Sequence, residues 1–165
     1  MDNICYIFKE YSRWYKATKK ANKRWGIPVS VQMAIIHQES RFKAKALPGK
    51  KYILFFIPWG RLSSANGYSQ AKNETWEAYK KATGRRFASR KNFSHSVDFV
   101  GWYLNNSAKE LHISKDNAYA LYLAYHEGNG GYKRKTYLQK PWLVQVAQKV
   151  SARASMYRGQ LLRCD

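Results

Sequence analysis

Apolar residues return every three to four positions along most of the chain, the interval of a helix face. Phe8, Tyr11, Trp14, Tyr15 and Thr18 predict a first helix with a basic outer face that ends before Gly26 and Pro28. Ile27, Val31, Ala34, Ile35, Gln38 and Phe42 trace one stripe of a second helix starting near Pro28 or Ser30. Asn73 is placed to cap a third helix through Trp76 and Tyr79, closed by Gly84. Phe93, Val97, Val100 and Leu104 mark another that starts near Ser94. Ser114 is placed to cap the next, with Ala118, Leu121, Tyr122 and Tyr125 inward and Gly128 at its end. Pro141 opens a long final helix carrying Leu143, Val146, Val150, Ala154, Tyr157 and Leu161. Between Ala44 and Asn66 the pattern is irregular: KYILFF reads as a short strand and PWG as a turn. The expected fold is all-α, mainly helical, a single domain over 1–165 with a short irregular or β-like insertion.

Within the second stripe one polar residue is out of keeping. Glu39 follows Ile35 by four positions and precedes Phe42 by three, so it borders the apolar face. Apolar surroundings disfavour the charged carboxylate, raise its pKa and leave a proton to donate, which is what a glycosidic leaving oxygen requires of a general acid. The plainer alternative is an i,i+4 pair with Lys43, worth a few tenths of a kcal/mol.

Charge narrows the partners. The 165 residues carry 30 Lys and Arg against 10 Asp and Glu, a formal net charge of +20. That balance suits an anionic partner: nucleic acid, a phospholipid surface, or an acidic polymer such as a bacterial wall. Six Trp, thirteen Tyr and seven Phe accompany the cations, a mixture that serves sugar rings as well as stacked bases. The basic residues are spread through every segment instead of gathered in one block, so no specific nucleic-acid site is expected. Cys5 and Cys164 stand near opposite ends, as two unrelated thiols or as a terminal staple in an oxidising compartment; nothing between them makes a CxxC motif. His37, His95 and His112 are not spaced as metal ligands, and the glycine-rich GNGGY lacks the context of a phosphate loop, so no metal and no cofactor are assigned. Close backbone approach is the expected purpose of those glycines. No signal peptide is visible, and the longest apolar run, Tyr52 to Ile57, is too short to cross a bilayer.

Three stretches taken together carry a resemblance. QESRF (Gln38 to Phe42), GYSQ (Gly67 to Gln70) and LAYHEGNGGY (Leu123 to Tyr132) resemble, in this order and separation, the ES-x-F, GLMQ and AYN-x-G motifs of lytic transglycosylases with a soluble-lytic-transglycosylase (SLT) domain. The fold of that family is similar to goose-type lysozyme, which implies a lysozyme-like helical domain here. The resemblance covers about Ile27 to Tyr157. It implies that Glu39 is the catalytic acid/base, that Ser40 helps to hold the active site, that Gln70 contacts substrate and that the Tyr125 hydroxyl orients the glutamate. Ser40 and Gln70 as ordinary exposed residues, and Tyr125 as a core aromatic, are the simpler readings. His126 stands where the family has Asn, and Tyr68 and Ser69 replace Leu and Met; His126 is expected to be either a cleft residue or a structural histidine.

The flanking cysteines and the phrase AYHEG also resemble small bacterial lipoproteins bearing this domain. That implies export, a periplasmic or envelope location, a Cys5–Cys164 disulfide, and a lipid-attachment cysteine upstream. The implied activity is non-hydrolytic cleavage of the β-1,4 bond between N-acetylmuramic acid and N-acetylglucosamine in peptidoglycan, to 1,6-anhydro products. Two alternatives stay open: a hydrolysing muramidase with Glu127 or Asp98 as a second carboxylate, or a non-catalytic wall-binding or scaffold protein. The expected partner is the glycan strand, the expected state a monomer, and no protein partner is indicated. The apolar loop ILFFIPWG, with Lys50, Lys51 and Arg61 beside it, reads as an ordinary buried loop, a lip of the glycan cleft, or a contact to an anionic membrane surface.

Overall fold

A computed structural model describes residues 2–47 and 64–164, so KYILFF and the apolar loop around it lie outside the described residues. Seven α-helices and one 3₁₀ turn account for most of what is described, with no sheet among these residues. The expected all-α, lysozyme-like class holds.

The first predicted helix is two. α1 (Ile4–Glu10) is capped by Asn3, whose side chain accepts from the Cys5 and Tyr6 amides. Tyr11 then leaves helical geometry, at φ −118° and ψ 68°, before α2 (Ser12–Trp25) begins. α2 ends on the left-handed Gly26. The turn into α3 (Val29–Ser40) is stitched by buried Gln32, whose amide donates to the carbonyls of Thr18 at 3.1 Å and Ile27 at 2.9 Å.

α3 departs from its expected single stripe. Every residue from Val29 to His37 is buried, because α2, α5 (Phe93–Leu111) and α7 (Pro141–Leu161) all pack against it. Gln38 and Glu39, in its C-terminal turn, are only half-buried.

α4 (Asn73–Thr83) starts at Asn73 with Lys72 in the cap position, one residue before the expected cap, and closes at Gly84. The side chain of Asn92 caps α5 by accepting from the His95 amide. α6 (Ala118–Lys133) is capped by Asn117 instead of Ser114, whose hydroxyl is engaged by Asp116. Gly128 does not end α6. It kinks it, at φ 76° and ψ 162°, and the helix resumes through GNGGY, which is therefore helical and not a loop. A 3₁₀ turn (Thr136–Gln139) leads to α7, which has Pro141 in its first turn as expected.

Two clusters fix the frame around the site. Asp98 on α5 accepts from Tyr79 Oη at 2.6 Å and Trp25 Nε1 at 2.9 Å, and pairs with Arg24 at 3.3 Å and Arg85 at 3.5 Å. Cys5 and Cys164 form a disulfide that joins α1 to the residues after α7. Beside it Gln160 accepts from the Ile4 amide and donates to the Asp2 carbonyl, while Arg153 pairs with Asp2 at 2.9 Å. No described helix is long and apolar enough to cross a membrane.

Candidate active site

Glu39 is the penultimate residue of α3. Burial alone pushes its carboxyl up to about 8, with no neighbouring charge among the described residues to offset it. The negative end of the α3 dipole acts in the same direction. The pair with Lys43 that i,i+4 spacing allows does not form, because the helix stops too soon. Arg41 and Phe42 both take left-handed backbone, at φ 52° and 63°. For residues with a Cβ this costs of the order of 1 kcal/mol each, and such strain gathers at functional sites. Here it drops the Phe42 ring between Trp14, at 5.7 Å, and His37, at 5.5 Å, and leads Lys43 off the helix axis. Ser40 is buried, not exposed, and its hydroxyl donates to the Ile36 carbonyl at 3.0 Å, which secures the last turn under Glu39.

The GYSQ stretch is a tight turn facing this helix end. Asn66 and Ala71 form an isolated antiparallel bridge across it. Gly67 takes φ 78° and a Cβ there would lie 2.2 Å from the Arg90 carbonyl oxygen, so both backbone and space require glycine. Gln70, also left-handed at φ 56°, gives both amide hydrogens to the backbone: to the Ala46 carbonyl at 2.8 Å and the Gly67 carbonyl at 2.8 Å. Tyr68 leans edge-on against Phe93 at 5.3 Å and Trp14 at 5.9 Å, themselves stacked at 4.1 Å.

Tyr125 on α6 closes the arrangement. Its hydroxyl donates to the Ser69 carbonyl at 2.6 Å. Burial raises its phenol well above the ordinary value, and the charge of Glu39 adds to this. The hydroxyl hydrogen of Tyr125 is committed to Ser69.

The acidic residues considered as helpers are engaged elsewhere. Asp98 is the centre of the Arg24, Arg85, Trp25 and Tyr79 cluster. Glu127 accepts from Thr136 Oγ1 at 2.7 Å, Lys140 Nζ at 2.9 Å and His126 Nδ1 at 3.0 Å. Burial alone would raise its carboxyl, but these donors outweigh that and hold it below its usual value. No group of three or more potential metal-ligating side chains occurs among the described residues.

A family model for the transglycosylase SLT domain matches residues 1–164. The chain belongs to the transglycosylase SLT domain family. None of the curated proteins matches it. The SLT domain is that of lytic transglycosylases, so membership implies an enzyme that acts on glycan, with peptidoglycan as the substrate class.

Of the sequence-chosen residues of this SLT domain, Glu39 and Ser40 share one helix end, the charge of Glu39 reaches Tyr125, and Gln70 shapes the turn that Tyr125 anchors. His126 is next to them but engages Glu127 and Trp142, the latter at 5.5 Å. Cys5 and Cys164 join the residues near the two termini. Sequence reasoning overlooked the Thr136–Glu127–Lys140 group. Its only trace in the sequence is an acidic residue with two partners nine and thirteen positions on, and those offsets match no single helix face.

Proposed function

We propose that this SLT domain cleaves the β-1,4 bond between N-acetylmuramic acid and N-acetylglucosamine in peptidoglycan without consuming water. The observation that carries the reading is the carboxyl of Glu39, which burial holds near 8 with no counter-ion among the described residues. At pH 7 about nine-tenths of it is protonated, so an acid is ready to act. Glu39 gives its proton to the glycosidic oxygen as the C1–O bond breaks. The resulting carboxylate is a strong base for its setting, and it takes the proton of the muramyl C6 hydroxyl as that oxygen bonds to C1. The proton count closes, and the product is a 1,6-anhydro sugar.

A single carboxylate suffices for this route, whereas hydrolysis ordinarily uses a second to activate water or to act as nucleophile. Glu127 and Asp98, saturated by cations and hydrogen-bond donors, are poorly suited to that task, which favours the non-hydrolytic reading. Ser40 and Tyr125 support the acid and Gln70 keeps the facing turn in shape. The net charge of +20 favours encounter with a wall whose stem peptides carry carboxylates. A periplasmic or envelope location, with lipid attachment upstream, accords with a disulfide between the termini.

The test is mass spectrometry of soluble products from purified sacculi digested with the wild type and with Glu39→Gln. Anhydromuropeptides from the wild type alone are expected. Reducing muramic ends would establish hydrolysis instead, and intact sacculi with both proteins would leave a binding or scaffold role.

A further inference from the structure

His126 and Glu127 are adjacent in sequence and hydrogen-bonded to each other, and the bond decides which nitrogen of the ring carries hydrogen. Glu127 Oε2 lies 3.0 Å from His126 Nδ1. The Glu127 carboxyl is nearly enclosed, with its side chain 4% exposed, and it already accepts from Lys140 and Thr136. An ionised carboxylate can only accept, so Nδ1 must be the protonated nitrogen. The neutral ring then has a bare lone pair at Nε2. No described residue bonds to that atom, and the side chain is 23% exposed.

The surroundings make this a built arrangement. Thr136 and Lys140 reach Glu127 from the 3₁₀ turn and the start of α7, and Gly131 leaves them room, since a Cβ there would stand 3.1 Å from both Glu127 Cβ and Thr136 Oγ1. The Tyr122 and Trp142 rings flank the imidazole at 6.4 and 5.5 Å. The charged groups that act on it are Glu127 from α6, Lys140 ahead of α7 and Lys72 ahead of α4. Lys72 follows closely on the GYSQ turn that Tyr125 anchors, and Tyr125 directly precedes His126 on α6.

We propose that Glu127 is a positioning residue that fixes His126 in the Nδ1–H form, and that His126 Nε2 accepts a hydrogen bond from an N–H or O–H donor of the glycan at the cleft edge. This rests on the glycan reading above. An amide in this position offers a donor and an acceptor at every pH. A histidine clamped by Glu127 offers an acceptor alone when neutral and a donor alone when protonated. Burial and the two lysines keep the ring below its ordinary value against the pull of Glu127, so the acceptor form is the one present at neutral pH.

The test uses the whole chain with ¹⁵N-labelled histidine, the His126 signals being identified by their loss in His126→Asn. An Nδ1-protonated ring is expected at neutral pH, shifting at Nε2 when a β-1,4-linked N-acetylglucosamine oligomer is added. Glu127→Gln should give a mixture of the two tautomers, because the amide can donate as well as accept. Oligomer affinity of the wild type should fall up to about tenfold once the ring is protonated, the weight of one lost hydrogen bond. In His126→Asn that pH dependence should vanish while binding persists. A wild-type ring protonated at Nε2, or a pH dependence unchanged in His126→Asn, overturns the proposal. Failure of the oligomer to bind at any pH overturns the acceptor role as well. Digestion of sacculi, which does not involve the oligomer, decides separately whether the glycan reading falls with it.

Discussion

Replacing Glu39 by Gln should make the protein more stable, and the gain should grow with pH. In the unfolded chain the carboxyl loses its proton around its ordinary value of 4.5, while in the fold it keeps the proton up to about 8. Between these values the unfolded state is the one with fewer protons bound, so stability falls as pH rises. Each pH unit in that window is worth at most about 1.4 kcal/mol, which gives an upper bound of about 3.4 kcal/mol at pH 7. Glu39 is partly reached by solvent, and screening reduces this to about 1.5–2 kcal/mol. Glutamine has nearly the shape of the protonated acid and cannot ionise, so it removes the penalty without opening a cavity.

The assay is urea or thermal unfolding of both proteins at a series of pH values from below 4.5 to about 8. Taking the difference between them at each pH cancels the other titrating groups. For a chain of 165 residues, about 1.5–2 kcal/mol corresponds to a melting temperature raised by about 4–6 °C at pH 7, shrinking to almost nothing near pH 4.5. A difference that is flat with pH, or a Gln variant less stable than the wild type at pH 8, would refute a buried acid without a counter-ion. A stabilised but inactive variant is the signature expected of a site whose function works against the fold.

Two further outcomes test the frame. Asp98→Asn leaves the Arg24 and Arg85 guanidinium groups without their carboxylate, and a loss of about 2–3 kcal/mol is expected in urea unfolding. The yield of anhydromuropeptides per folded molecule should be unchanged, whereas a collapse of yield in folded protein would make Asp98 the missing second carboxylate. Removing the Cys5–Cys164 disulfide by a double Ser substitution should cost about 4 kcal/mol, because it frees a loop of nearly the whole chain in the unfolded state. A reductant should shift the wild-type urea midpoint to that of the double variant, and an unmoved midpoint would assign the joining of the termini to the Gln160 and Arg153 contacts instead.

Most helices were legible because their apolar periods and their punctuation agreed, as with Gly84 closing α4 and Pro141 opening α7. Misreadings arose where backbone geometry overrode pattern. The break at Tyr11 leaves the three-to-four spacing of Phe8, Tyr11 and Trp14 intact, so periodicity alone could not reveal two helices. Gly128 is a common terminator, yet the chain resumes as helix beyond it. The all-round burial of α3 was hidden by Gln32 and Ser30, polar residues that are nonetheless buried; the Gln32 amide hydrogens go to the Thr18 carbonyl of α2 and the Ile27 carbonyl of the turn before α3. Glu127 was legible as an acid but not as the centre of a cluster, since Thr136 and Lys140 reach it from the 3₁₀ turn and the residue after it, beyond the end of α6.

The two departures from the GLMQ pattern become intelligible in the same terms. Tyr68, in place of Leu, packs its ring against Trp14 and Phe93. Ser69, in place of Met, is buried with its hydroxyl oxygen unpartnered among the described residues, which looks like a loss. The contact that ties this turn to Tyr125, however, runs through the Ser69 carbonyl, an atom every residue has. The geometry beside Glu39 therefore depends on the path of the backbone, set by Gly67 and by the two hydrogen bonds of Gln70, and the first and last letters of the motif are the two that this chain retains.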